Sequence, residues 1–155
     1  MANEIRTKLD ARATFTISLA SLANSAVGVG RQSTMISNSS NRPGALIFVK
    51  IRSGSSTPTA GAVFQVYLLR GDGTSRTDGA GSSDAGLTVE NADLLGTIVV
   101  IATTGKDFYG VFDTAPLGRL GTEFGIAVVN ASGTALDSTG GNHVCAYQLY
   151  ADEVQ

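Results

Sequence analysis

Three evenly spaced aspartates, Asp72, Asp78 and Asp84, lie in the glycine- and serine-rich run RGDGTSRTDGAGSSDAG. Carboxylates held apart by glycines are the raw material of an oxygen cage for Ca²⁺, yet the EF-hand spacing and its closing bidentate glutamate are absent. Aspartate is also an ordinary turn former that accepts hydrogen bonds from its own backbone, and that reading is favoured here. Arg70-Gly71-Asp72 spells the integrin tripeptide, but a glycine turn after a strand accounts for it. His143 and Cys145 stand two apart on a strand pattern and therefore on one face. A thiol beside an imidazole is nucleophilic chemistry, but side chains two apart on one strand run parallel without converging, and no Asn or Asp is placed to orient the ring. There is no GxSxG elbow, and GAGSSD lacks the final glycine and helix of a phosphate loop. Glu90 and Glu123 have the chemistry of a glycosidase pair, with nothing in the sequence to bring them together. The residues thus assign no catalytic, cofactor or metal site, and a non-enzymatic protein is expected. A small hydrolase built on His143 is the weakest alternative.

The elements that position these residues are all strands. In residues 13–19, Phe15, Ile17 and Leu19 alternate with Thr14, Thr16 and Ser18, the period of a half-buried strand. Further strands are expected at residues 32–37, 45–52, 62–70, 87–90, 94–103, 108–113, 123–130 and 143–150. Residues 45–52 (ALIFVKIR) read as buried on both faces until Lys50 and Arg52. In residues 62–70, Phe64, Val66 and Leu68 share a core face. The connections NSAVGVG, NSSNRPG and APLGRLGT are turn-rich, and SGSSTPTAG is nearly pure turn residues. About eight or nine strands without a helical period predict a single all-β domain, an antiparallel β-sandwich of jelly-roll-like type, over residues 13–155. Residues 1–12 carry a charge at every second position and read as an extended N-terminal arm that docks on a neighbouring subunit, with a short helix as the competing form. Residues 71–86, at the end of the core strand, are too long for a plain turn. They are expected to form a surface loop that touches a sister subunit or a larger assembly.

Composition agrees. Only 15% of the 155 residues are charged, and 19 are glycine against three proline. A surface covered by Ser, Thr, Asn and Gly suits strands and turns. A net charge of −2 with no basic run gives no support for nucleic-acid binding. No apolar run is long enough for a membrane helix, and the N-terminal residues lack the apolar core of a signal peptide. Cytoplasmic synthesis is expected, and the single cysteine fits it. Asn38 and Asn130 begin glycosylation sequons that should then be idle. Tyr67, Tyr109, Tyr147 and Tyr150 are candidates for a sugar-stacking face, although strand aromatics more often fill cores.

The runs VYLLRGDGTSRTDGAGSSDA (Val66 onward), ENADLLGTI (from Glu90), FGIAVVNASGTALDSTGGNH (from Phe124) and the closing ADEVQ resemble a family of small accessory virion proteins of tailed bacteriophages, of the capsid decoration or cement type. The resemblance covers roughly residues 45–155. It implies a β-sandwich on the outer surface of a phage capsid, bound to the major capsid protein, often as a homotrimer, and bridging capsomers without cofactor. It carries over no functional residue. The alternative function is a tail- or fibre-associated module that binds host glycans through its loops and tyrosines.

Overall fold

The structure, a computed structural model, describes residues 5–154. Eleven strands make up the described fold: β1 (Ile5–Leu9), β2 (Ala13–Thr14), β3 (Val29–Gln32), β4 (Ile36–Ser37), β5 (Gly44–Arg52), β6 (Val63–Gly71), β7 (Ala85–Thr88), β8 (Asp93–Val99), β9 (Asp107–Asp113), β10 (Glu123–Ala131) and β11 (Val144–Val154). They form two antiparallel sheets. Sheet A runs β1-β11-β5-β9, with β2 also on β11. Sheet B runs β7-β3-β10-β6-β8, with β4 also on β10. The all-β sandwich expected from the alternation is therefore the fold.

The core lies between the sheets. Ala45, Ile47, Val49 and Ile51 of β5 face Phe64, Val66 and Leu68 of β6 and Phe124, Ile126 and Val128 of β10. Phe15, Phe124 and Tyr147 form an aromatic knot, with ring centroids 4.8–5.9 Å apart and two of the three pairs edge to face. A T-shaped pair, Phe64 with Phe108 at 5.7 Å, closes the β9 side. Such pairs add to the burial of large apolar surface.

Several expectations shift in register, for identifiable reasons. Phe15 and Leu19 are buried as the alternation requires, but only Ala13–Thr14 pairs in a ladder. The segment is crossing between sheets: Phe15 N–H bonds Cys145 C=O in sheet A, and Thr16 C=O accepts from Thr34 N–H in sheet B. Residues 32–37 are two short strands, with pairing broken at residues 33–35 and the first strand beginning back at Val29. Residues 45–52 are not buried on both faces: Leu46, Phe48, Lys50 and Arg52 are half-exposed. The final strand runs on to Val154. Of the expected arm, Ile5–Leu9 is extended, exposed along its length and paired with residues Tyr150–Val154 of its own chain; residues 1–4 lie outside the described residues. Because β5 stops pairing at Gly44, opposite Tyr150, β1 and the end of β11 project as a two-stranded ribbon. Asp10 anchors its base through a two-pronged bond from Arg42, at 2.7 and 2.8 Å.

Candidate functional site

The three aspartates do not converge; each carboxylate is taken by a different set of donors. Asp72 accepts from the N–H groups of Thr74 and Ser75, and these bonds hold its pKa below the usual carboxylate value. Asp78, in the left-handed region at φ 56°, accepts from the backbone N–H of Glu90, Asn91 and Ala92. Asp84 receives Arg31 Nε and Ser18 Oγ, both at 2.5 Å. The arrangement is the turn-forming role that the sequence favoured, extended to contacts far along the chain. Among the described residues no cluster of His, Cys, Asp and Glu is grouped to hold a metal ion.

Together these bonds fold residues 71–86 back onto sheet B instead of leaving them at the tip of the sandwich. Ala80 is buried against Leu69 and Ala127, with Met35, Tyr67, Leu87 and Val89 around them. Gln32, 1% exposed, donates to the carbonyls of Gly81 and Ser83 and accepts from Gly81 N–H. The loop is a lid over its own sheet. The Arg70-Gly71-Asp72 tripeptide is consumed in the same way, since the Arg70 guanidinium donates to the carbonyls of Leu117 and Arg119 and pairs with Asp93.

Asp84 gives this lid a pH dependence. Burial opposes its charge, but the bonds from Arg31 and Ser18 outweigh that and leave its pKa lowered from 3.8. A carboxylate with a lowered native pKa contributes stability above its unfolded pKa, and that stability is lost as pH falls through the native value. Thermal melts between neutral pH and about pH 3 should therefore show a steeper acid loss in the natural chain than in Asp84→Asn. Parallel curves would show that the Arg31–Asp84 pair contributes nothing.

The remaining candidates separate. His143 precedes β11; its Nδ1 accepts from Arg52 N–H and its Nε2 lies 3.0 Å from Asp137 C=O. The acceptor role of Nδ1 leaves the ring proton on Nε2, donated to that carbonyl. Cys145 points into the core, where burial pushes its thiol up to about 12. It remains a protonated, apolar side chain, and the two do not form a nucleophile–base pair. Glu123 is paired with Arg76, 2.6 Å from its Nε, while Glu90 is exposed on the lid side. The sequon asparagines are structural: Asn38 and Asn130 are buried and bond backbone groups of neighbouring loops. Of the tyrosines, Tyr147 is in the aromatic knot, Tyr67 is partly covered by the lid, and Tyr150 lies across Gly44 and donates to Asp113 at 2.5 Å. A Cβ at Gly44 would sit 2.4 Å from the Tyr150 hydroxyl oxygen, so a larger residue there would push the ring from this position. Tyr109 stands open, 69% exposed.

Tyr109 marks what the sequence reading missed. The outward residues of sheet A lie in rows set by register: Val144, Lys50 and Tyr109; then Ala146, Phe48 and Val111; then Gln148, Leu46 and Asp113. Val111 is 62% exposed. The Arg12 guanidinium lies over the Phe48 ring, 5.2 Å from its centroid, in cation–π range. Between Arg12 and Tyr109, over Phe48, Val111 and Val144, is a groove of about 440 Å³. Among the described residues no loop covers this face as residues 71–86 cover the middle of sheet B. Lys50 and Arg52 share parity with Leu46 and Phe48, and that period-two coincidence is the signal that this side of β5 faces water.

No protein-family model matches this chain, and a comparison with curated proteins returns no significant match.

Proposed function

We propose that this chain is a non-enzymatic structural protein of a tailed-phage virion. In this reading it is a decoration or cement protein on the outer capsid surface, jelly-roll-like in its connections, which binds the major capsid protein as a homotrimer and bridges capsomers. The observation that carries this reading is the contrast between the two outer sheet faces. The middle of sheet B, around Leu69 and Ala127, is covered by the chain's own lid, with Leu94 and Val99 exposed on its β8 edge, while the middle of sheet A presents Tyr109, Val111, Phe48 and Val144 to an open groove. Apolar area left on an outer face stabilises whatever covers it, at about 25 cal/mol per Å² before the costs of association. A low-charge surface of Ser, Thr and Gly lets a protein pack closely against a shell, and repetition over many identical sites adds avidity.

Quantitative mass spectrometry of purified particles is the test. On the order of hundreds of copies per particle, matching the repeated sites that give avidity, is expected for shell decoration. A handful per particle would overturn it in favour of a tail or fibre position, and absence would overturn both. The glycan-binding alternative has one observation in its favour, the open Tyr109 beside the groove. A glycan-array signal that disappears in Tyr109→Ala would establish it.

A further inference from the structure

β9 is the outer edge of sheet A, and its hydrogen-bonding phase can be fixed. Thr114 N–H bonds Ala45 C=O, and Ser53 N–H bonds Lys106 C=O, at the two ends of the β5–β9 ladder. Alternation between those ends turns Phe108, Gly110 and Phe112 toward β5 and leaves the N–H and C=O of Tyr109 and Val111 pointing outward. Among the described residues these groups have no backbone partner. Edge strands are normally blunted by lysine, proline, a bulge or a covering loop. Within Asp107–Asp113 (DFYGVFD) there is neither lysine nor proline, and its pairing with β5 runs without a register shift.

The charges around this edge favour one kind of occupant. Arg12 and Lys50 line the groove, Arg52 follows Lys50 on the same side of β5, and Lys106 is exposed at the start of β9. Against them stand Asp107, shared between Lys50 and Arg52 at 3.7 and 3.6 Å, Asp113, which accepts from Tyr150, and Asp137 beside Arg52. Among the described residues Arg12 has no carboxylate partner. Cations therefore predominate here on a chain whose net charge is −2. Two copies stacked through this face would set cation against cation.

We propose that β9 takes up an extended acidic segment of a partner protein as an added strand. Its main chain pairs with Tyr109 and Val111, its carboxylates stand on the outward face toward Arg12 and Lys50, and its alternate apolar side chains turn to the opposite face. Strand addition draws affinity from the main-chain ladder and specificity from alternate side-chain pockets. The inference rests on the open face of sheet A as the docking face and names the chemistry of what docks there.

The test uses the full chain and two synthetic peptides, one alternating Glu with Val and one alternating Lys with Val, followed by amide chemical shifts and fluorescence anisotropy. The acidic peptide should bind saturably, shift the amides of Tyr109–Asp113 and weaken as salt is raised. Binding should fall about tenfold in Arg12→Gln, which removes one charge-assisted contact. It should be lost in Val111→Pro, which removes an outward N–H from an edge position where proline leaves the β5 ladder intact. Equal binding of the Lys peptide, or no acidic-peptide binding up to about 1 mM, would overturn the proposal. So would concentration-dependent self-association in sedimentation that Val111→Pro abolishes, which would give the edge to a second copy. High copy number on particles without acidic-peptide binding would leave the decoration role standing and remove this mode of attachment. The reverse result would keep the strand site and remove the decoration role.

Discussion

Phe124→Ala should lower the unfolding free energy by about 3–5 kcal/mol, the range for emptying a large aromatic site in a packed core. Phe124 is completely buried on β10, the central strand of sheet B. Its ring meets Phe15 edge-on at 5.9 Å and Tyr147 at 5.4 Å. Phe15 belongs to the segment crossing from sheet A to sheet B, and Tyr147 to the middle of β11. One side chain thus touches both sheets and the connection between them, and collapse around the vacated space would require all three to move. Since a domain of this size is stabilised by only about 5–15 kcal/mol, the variant should show a large fall in urea midpoint at unchanged slope. A loss under about 1 kcal/mol would mean that the site collapses freely and that the aromatic knot does not hold the sheets together.

The same residue shows what was legible in the sequence. Phe124, Ile126 and Val128 alternate with smaller or polar residues, and period two sufficed to put them on one buried face. So it did for Phe64, Val66 and Leu68, because half-burial imprints itself on each strand locally. Pairing and coverage do not. Residues 13–19 alternate as well as any strand here, yet most of them leave the ladder, since bonding depends on which neighbour lies alongside. β5 carries Leu46 and Phe48 on its outward side, and apolar content alone made that side look buried. Coverage depends on a loop from elsewhere in the chain: residues 71–86 supply one to the middle of sheet B, and among the described residues none is supplied to sheet A. The candidate site is an absence of cover, a property of tertiary arrangement that no single segment records. The aspartates of the lid illustrate the converse. Their residue type announced turns, but Asp78 and Asp84 reach strands and turns well away in sequence, which no spacing rule contains.

Gln32→Ala tests whether that lid is an independent unit. Gln32 lies opposite Ala127 on β10, on the outer side of sheet B, where a polar side chain would ordinarily meet water. It is buried because residues 80–84 close over it, and its side-chain hydrogen bonds go to that segment, at 2.6, 2.9 and 3.1 Å. Truncation leaves the carbonyls of Gly81 and Ser83 and the N–H of Gly81 without partners. Polar groups stranded under the lid cost up to about 1–3 kcal/mol each where water does not reach them, although Gly81 and Ser83 are exposed on its outer side. The lid has a cheaper response, which is to open. Opening hydrates those groups and exposes Leu69, Ala80, Ala127 and the partly buried side chains around them, a patch far smaller than the core. The expected result is a global loss of about 2–3 kcal/mol at most, together with hydrogen exchange at residues 79–84 that accelerates much more than exchange in β5 or β10. Asp78→Ala should produce the same local signature from the other end, by releasing the turn at residues 90–92. Uniform acceleration across both sheets would mean that lid and sandwich unfold as one cooperative unit. The lid-specific pattern would show that the middle of sheet B is covered by a separable element, a device that sheet A lacks among the described residues.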